Sequence, residues 1–386
     1  MKRSLSKLAL DPIALEQAIA QYLEQMATSP QSAEIYADLG DLYAQQQQWQ
    51  LAVKHYRQAV TLQPDFESVY QAWANLWLQQ GENEQAIGVY RQGVKQNPQN
   101  ANYLFTLASA LSAQKKWLRA SNNYRQAAAI ESSARVYFHW GIANYELQEY
   151  DQGRSHFELA AELEPTAEIY YYWGLTLFEL QDYPAAENCW HQAIAQDPSY
   201  ALPHYQLGKL WQSQQQWQEA MSAYRQVISI DPEFAPALIQ MGEVYPHLEQ
   251  FDLAVSCFRR AINQLTKGDP LQELAFAGYQ HTLATHPEIK VELYYQLAKL
   301  LRAKGFFPEA IAAYLKTIQF DPHFKNTYID LQYTPVAQEQ FPELIKVYRQ
   351  IVTEHPEITI AWGNLGDILT QQNQVSEAID CYRTGS

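Results

Sequence analysis

Along most of the chain, apolar residues recur at intervals of three, four and seven, the spacing that gathers side chains on one face of an α-helix. The stretch YADLGDLY (36–43) places Tyr36, Leu39, Gly40 and Tyr43 on one such face, and AVKHYRQA (52–59) places Ala52, Tyr56 and Ala59 on another. A polar, glutamine-rich run between them predicts a turn. LQPD (62–65) follows, and its Pro64 predicts the end of the second helix, because proline lacks an amide hydrogen and crowds the preceding turn. The predicted unit is a helix, a turn and a second helix.

This unit returns about every 34 residues. It reads as Tyr70, Trp73, Trp77, Ala86, Tyr90 and Pro98, then as Leu104, Leu107, Leu111, Ala120, Tyr124 and Ala127. Tyr137, Trp140, Gly141, Phe157, Ala160 and Pro165 come next, and Tyr170, Trp173, Gly174, Ala186, Trp190, Ala193 and Pro198 after them. Leu207, Gly208, Trp211, Ala220 and Tyr224, with Gly242, Tyr245, Ala254, Phe258 and Ala261, complete seven units. The register resumes at Tyr294, Leu297, Leu301, Ala310, Tyr314 and Pro322. A weak unit with Tyr328, Leu331, Tyr348 and Pro356, and an unfinished one with Trp362, Leu365, Gly366, Ala378 and Tyr382, close the chain. Chance does not hold one phase over so many turns.

These residues resemble the W-x2-L-G-x2-Y, A-x3-F, P signature of the tetratricopeptide family, of bacterial type, over residues 12 to 384. The resemblance implies an all-α fold, a right-handed superhelical solenoid of antiparallel helix pairs. Small residues then mark close helix crossings, and large ones mark contacts to the next pair. Residues 12–32 carry only second-helix positions (Ala18, Tyr22, Pro30) and are expected to form an N-terminal capping helix. Seven repeats fill 33–266, a helical insertion 267–290, and three further repeats 291–384. The insertion's helical stretch, Leu271 to Thr285, breaks the period, so it is expected not to stack in phase but to bend the array near residue 267 or dock in its groove. Pro335 falls where the first helix of the ninth unit would continue.

Composition narrows the functions. With 47% apolar residues the chain is too rich for disorder, and 42 acidic against 27 basic residues give a net charge of −15, which repels nucleic acid and anionic lipid. Lys2, Arg3 and Lys7 precede an apolar run too short for a signal peptide, and nowhere do about 18 apolar residues run together as a spanning helix needs. Three scattered cysteines suit a reducing, cytoplasmic setting. Cys189, Cys257 and Cys381 each stand one residue before the second-helix aromatic, in different repeats, so neither a disulfide nor a shared metal is expected.

All ten tryptophans fit repeat positions, which makes them packing residues. The sequence contains no phosphate-binding glycine loop, nucleophile elbow, kinase signature or H-E-x-x-H. His281 and His286 are five apart and do not share a helix face. The chain is therefore expected not to be an enzyme, and no cofactor or metal is assigned.

In tetratricopeptide proteins the first helices line the concave face, and their non-signature positions contact a peptide. Carried onto this register, the resemblance makes Phe105, Phe138, His139, Tyr145, Tyr171, Tyr172, Phe178 and Tyr205, with Tyr295 further on, the candidate partner-binding residues. Two readings stand side by side: a recognition groove, which favours such rings for their large contact at low entropic cost, or simple thickening of the interior. The family's carboxylate clamp is not assembled, since Asn75, Lys209, Lys299 and Arg302 lie in distant repeats. Nor is its asparagine ladder present, where only Asn364 fits. Acidic inward residues such as Asp38, Asp41 and Glu179 favour a basic or amphipathic protein or peptide partner.

The expected function is a protein–protein interaction scaffold. The alternative is the substrate-recruiting arm of a larger enzyme, such as a glycosyltransferase or methyltransferase. The last unit stops at Ser386 with no polar capping helix, so a continuation of the chain, or self-association through an uncovered last helix, is expected.

Overall fold

The computed structural model describes residues 11–266, 268–285, 290–335 and 340–385. Among them the secondary structure is helical, without strands. Two compact units, Met1–Pro198 and Ser199–Ser386, divide the chain. No helix among the described residues is long and apolar enough to cross a membrane.

In the first unit, α1 (Pro12–Thr28) stands alone and five pairs follow: α2 (Ala33–Gln45) with α3 (Trp49–Leu62), α4 (Glu67–Gln79) with α5 (Asn83–Gln96), α6 (Ala101–Ala113) with α7 (Trp117–Ile130), α8 (Ala134–Glu146) with α9 (Tyr150–Leu163), and α10 (Ala167–Glu179) with α11 (Tyr183–Gln196). Asp11 starts α1 by accepting from the Ala14 amide at 2.8 Å, with Pro12 in the first turn, where its missing amide costs nothing. Leu15 and Ile19 of α1 then bury against Leu39 and Leu42 of α2, so the lone helix covers the start of the stack.

In the second unit, α12 (Ala201–Ser213) pairs with α13 (Trp217–Ile230), and α14 (Ala235–Val244), continued by a 3-10 turn at Tyr245–Leu248, pairs with α15 (Phe251–Gln264). Helix α16 (Pro270–Thr285) comes next, then α17 (Lys290–Ala303) with α18 (Phe307–Phe320), α19 (Lys325–Gln332) with α20 (Phe341–Glu354), and α21 (Thr359–Gln371) with α22 (Val375–Thr384). The first helix of the ninth pair ends at Gln332, three residues before Pro335.

The glycine of the signature has a steric cause. A Cβ on Gly40, Gly141, Gly174, Gly208, Gly242 or Gly366 would lie inside 3.0 Å of the ring sixteen residues later: Tyr56, Phe157, Trp190, Tyr224, Phe258 and Tyr382 respectively. Each of these rings lies against the backbone of its own first helix at the glycine, which fixes how closely the pair crosses.

The same contact corrects the expectation for the insertion. A Cβ on Gly278 of α16 would also collide with Phe258, so that ring lies between two bare backbone stretches. Ala275, Phe276, Tyr279 and Leu283 of α16 join one core running from Ala220 to Cys381. The extra helix stacks directly on α14 and α15, because a small residue meets the preceding ring just as in an ordinary pair.

Turns repeat as faithfully as helices. Gln47, Gly81, Lys115, Gln148, Gln181, Gln215, Glu249, Gly305 and Asn373 all have φ between 58° and 80°. The next amide bonds back across the helix end in each case, as in Gln48 N to Tyr43 O at 2.9 Å and Glu149 N to Asn144 O at 2.9 Å. Only glycine enters this region without strain. Gln148→Gly is therefore expected to raise the unfolding free energy by about 0.5–1 kcal/mol, and Gly81→Ala to lower it by a similar amount. Urea unfolding of both variants checks the opposite signs.

Candidate functional site

The first helices of three successive pairs, α6, α8 and α10, supply the aromatic candidates. Asn100, Ser133 and Thr166 accept first-turn amides and so fix where each helix starts, which sets Phe105, Phe138 and Tyr171 at equivalent positions. Their rings form a continuous path. Phe105 meets His139 edge-on at 5.3 Å, His139 tilts on Phe138 at 5.3 Å, Phe138 meets Tyr172 edge-on at 5.7 Å, and Tyr172 meets Tyr171 edge-on at 5.3 Å. Beneath it lie the second-helix rings Tyr124, Phe157 and Trp190, all fully buried.

Burial sorts the candidates. Phe105, Phe138 and Tyr171 are 5%, 8% and 8% exposed, and most of their surface is spent on packing. His139, Tyr172, Tyr145 and Phe178 are half-buried. Tyr145 and Phe178 sit one residue before the helix end and pack edge-on against Tyr150 and Tyr183, the residues that open α9 and α11, at 5.6 and 5.3 Å.

The charged frame of this path is lopsided. Residues 131–198 contain twelve Asp and Glu but only Arg135 and Arg154 as basic residues. Arg154 stands 3.7 Å from Asp151, and the Arg135 guanidinium lies 3.8 Å over the Phe105 ring. Burial, then the charge of Glu179, pushes the Tyr145 phenol up to about 12, and burial followed by Arg135 lowers His139. His139 is consequently neutral at physiological pH, and Arg135 is the one cation on the path. The sequence reading missed Arg135, Glu146 and Glu179 as a set, although a lone arginine within a strongly acidic stretch was visible in it.

The second unit holds the remaining two candidates. Tyr205 packs on Phe234 at 5.3 Å and Tyr224 at 5.9 Å, with the Lys209 ammonium 5.9 Å from its ring. Tyr295 donates to Asp330 at 2.7 Å, while Arg302 holds the same carboxylate at 3.3 Å and Lys299 lies 5.4 Å from the Tyr295 ring. Lys209, Lys299 and Arg302 are thus each engaged with a neighbour in their own repeat or the next. Buried Cys189 and Cys257 have their thiols pushed up to about 12 and about 11, chiefly by burial, which keeps them protonated and unreactive. His281 lies on α16, and His286 lies outside the described residues.

Comparison with known proteins agrees with the repeat architecture. Family models described as tetratricopeptide repeat match residues 33–66, 72–130, 204–233 and 335–384, and one described as TPR repeat matches 174–214. No curated protein sequence matches the chain. Among solved structures, YrrB, titled a TPR protein with an unusual peptide-binding site, is 22% identical over 50% of this chain and 97% of its own, with a TM-score of 0.41. PilF of Pseudomonas aeruginosa is 20% identical over 57% of this chain and 97% of its own, with a TM-score of 0.47. A tetratricopeptide repeat protein of Parabacteroides merdae is 15% identical over 64% of this chain and 99% of its own, with a TM-score of 0.48. The recurring glycine-on-ring pairs, the left-handed turns and the family matches, which together span more than half of the sequence, agree: the chain belongs to the tetratricopeptide repeat family.

Proposed function

We propose that the chain is a protein-interaction scaffold whose first-helix face in α6, α8 and α10 takes a basic or amphipathic peptide. The observation that carries this reading is the coincidence of the ring path with the acidic stretch 131–198. Ring faces attract lysine and arginine through their quadrupole, and nearby carboxylates add long-range attraction. Arg135 over Phe105 shows within the chain itself how a guanidinium seats there. The half-buried rings, Tyr172 foremost, would make contact, while Phe105, Phe138 and Tyr171 set their angle from beneath.

A scaffold and a substrate-recruiting arm would use this face in the same way, so one experiment addresses both. An arginine-rich amphipathic peptide is titrated at low and high salt beside its glutamate-substituted counterpart. Salt-sensitive binding of the basic peptide alone is expected, weakened about tenfold by Tyr172→Ala and severalfold by the pair Glu146→Gln and Glu179→Gln. Binding that ignores salt, or that a folded Tyr172→Ala protein retains in full, would remove this reading.

A further inference from the structure

Two connections of the second unit bring together a set of side chains with no role in the ring path. Asp321-Pro322-His323-Phe324 follows α18, and His355-Pro356-Glu357-Ile358 follows α20, one repeat period of 34 residues later. Stacked repeats set equivalent connections side by side, so His323 and Glu357, at the same place in their respective segments, become neighbours. The His323 Nε2 lies 3.7 Å from Glu357 Oε1, and the His355 Nδ1 lies 3.5 Å from the same oxygen. The two imidazole rings stand 5.4 Å apart, nearly perpendicular, and the three donor atoms lie within 4.8 Å of one another.

Both connections are held by the same device. Tyr328 donates to the Pro322 carbonyl at 2.7 Å, and Trp362, one period later, donates to the Pro356 carbonyl at 3.0 Å. Within the segments, the His323 amide donates to Asp321 Oδ1 at 2.9 Å, the Phe324 amide to the Asp321 carbonyl at 3.2 Å, and the Ile358 amide to the His355 carbonyl at 3.1 Å. The backbone beneath each donor is therefore fixed, and only side-chain rotation separates the present arrangement from a closed ligand set.

We propose that His323, His355 and Glu357 form a surface site for a divalent transition metal of the zinc class. Bonds of about 2.0–2.2 Å to nitrogen and oxygen require donor-to-donor edges of roughly 3.3–3.6 Å in a tetrahedron. The His355–Glu357 distance of 3.5 Å already matches that edge and the His323–Glu357 distance of 3.7 Å lies just above it, leaving the two imidazole donors, within 4.8 Å of each other, to close by side-chain rotation. Two imidazoles and one carboxylate suit zinc, cobalt, nickel or copper, whereas calcium and magnesium require oxygen shells. His323 and Glu357 are exposed and His355 is half-buried, so water completes the fourth position. The site brackets the ninth repeat, whose first helix has only eight residues. A bound ion would tie the segment before that helix to the segment after its partner, closing over the least regular pair of the unit.

Cobalt(II) is the probe, added to the whole chain stripped with a chelator. The expected result is the intense visible absorption of four-coordinate cobalt, saturating at about one ion per chain and abolished by zinc. His355→Ala and His323→Ala should each weaken binding at least tenfold, and Glu357→Gln severalfold, with the far-ultraviolet circular dichroism of all three unchanged because the side chains project from connections. Zinc should also raise the thermal midpoint of the parent but not of His355→Ala. A weak six-coordinate spectrum, no saturation, or a spectrum retained by both histidine variants would overturn the proposal, the last placing the ion on other histidines of the chain.

Discussion

Trp190→Ala is expected to lower the unfolding free energy by about 3–5 kcal/mol, read by urea unfolding followed by circular dichroism. The indole is fully buried, donates to the Tyr171 carbonyl at 3.3 Å and lies against the backbone at Gly174. Truncation leaves a cavity that two helices crossing at bare backbone cannot easily close, and it removes the indole donor from the Tyr171 carbonyl. In a repeat array each pair contacts only its neighbours, so the loss should be local, with amide exchange accelerated first in α10 and α11. Trp211→Ala, at a half-buried position, should cost clearly less. The converse change tests the same contact. Gly174→Ala should cost about 1–3 kcal/mol by overpacking, and in a Trp190→Leu background it should cost almost nothing, because the methyl group then enters vacated space. Strict additivity of the two changes would mean that the glycine and the ring do not share one contact.

How much of this was legible in the sequence depends on which physical constraint each feature answers to. Helix pairing was fully legible, since the sixteen-residue step from Gly40 to Tyr56, repeated from Gly366 to Tyr382, is a steric requirement that leaves its mark on residue type. The left-handed turns were legible only as a polar break, because glutamine or lysine mostly stands where glycine would advertise the conformation. The insertion was misjudged for a related reason. Period alone suggested a helix out of phase, while Gly278 seats on Phe258 and lets α16 join the core.

At the candidate site the limit is one of angle. Neighbouring helical residues differ by about 100° in direction, and that rotation separates buried Phe138 from half-buried His139, and buried Tyr171 from half-buried Tyr172. Residue type was identical in kind across these pairs, so the register named them all, and only packing against Tyr124, Phe157 and Trp190 sorted them. Local spacing does not reveal the His323, His355 and Glu357 cluster, because His323 lies about one repeat away from the other two in the sequence. In a stacked array the informative separation is one repeat period, which is what relates His323 to Glu357 and Asp321 to His355.

The same packing that sorts the rings predicts an acid-sensitive first unit. His156 of α9 stacks on Trp140 at 3.7 Å and faces Tyr137 at 6.2 Å, and its Nδ1 meets no hydrogen-bond partner among the described residues. Burial lowers its pKa to about 4, against about 6.5 in an unfolded chain. Between these two values the unfolded state takes up a proton that the folded state refuses, so stability rises with pH there and is lost as pH falls from about 6.5 to about 4. A shift of this size corresponds to at most about 3 kcal/mol, and solvent screening of the half-buried ring together with attraction of the imidazolium to the Trp140 face leaves about 1–2 kcal/mol. His139 and His55 are lowered too, by burial first and then by Arg135 and Lys54 respectively, so they add loss of the same sign. His156→Gln should flatten the stability curve over this interval relative to the parent, with carboxylate protonation common to both proteins. Parallel curves would show that the stacked imidazole takes up its proton without leaving the fold.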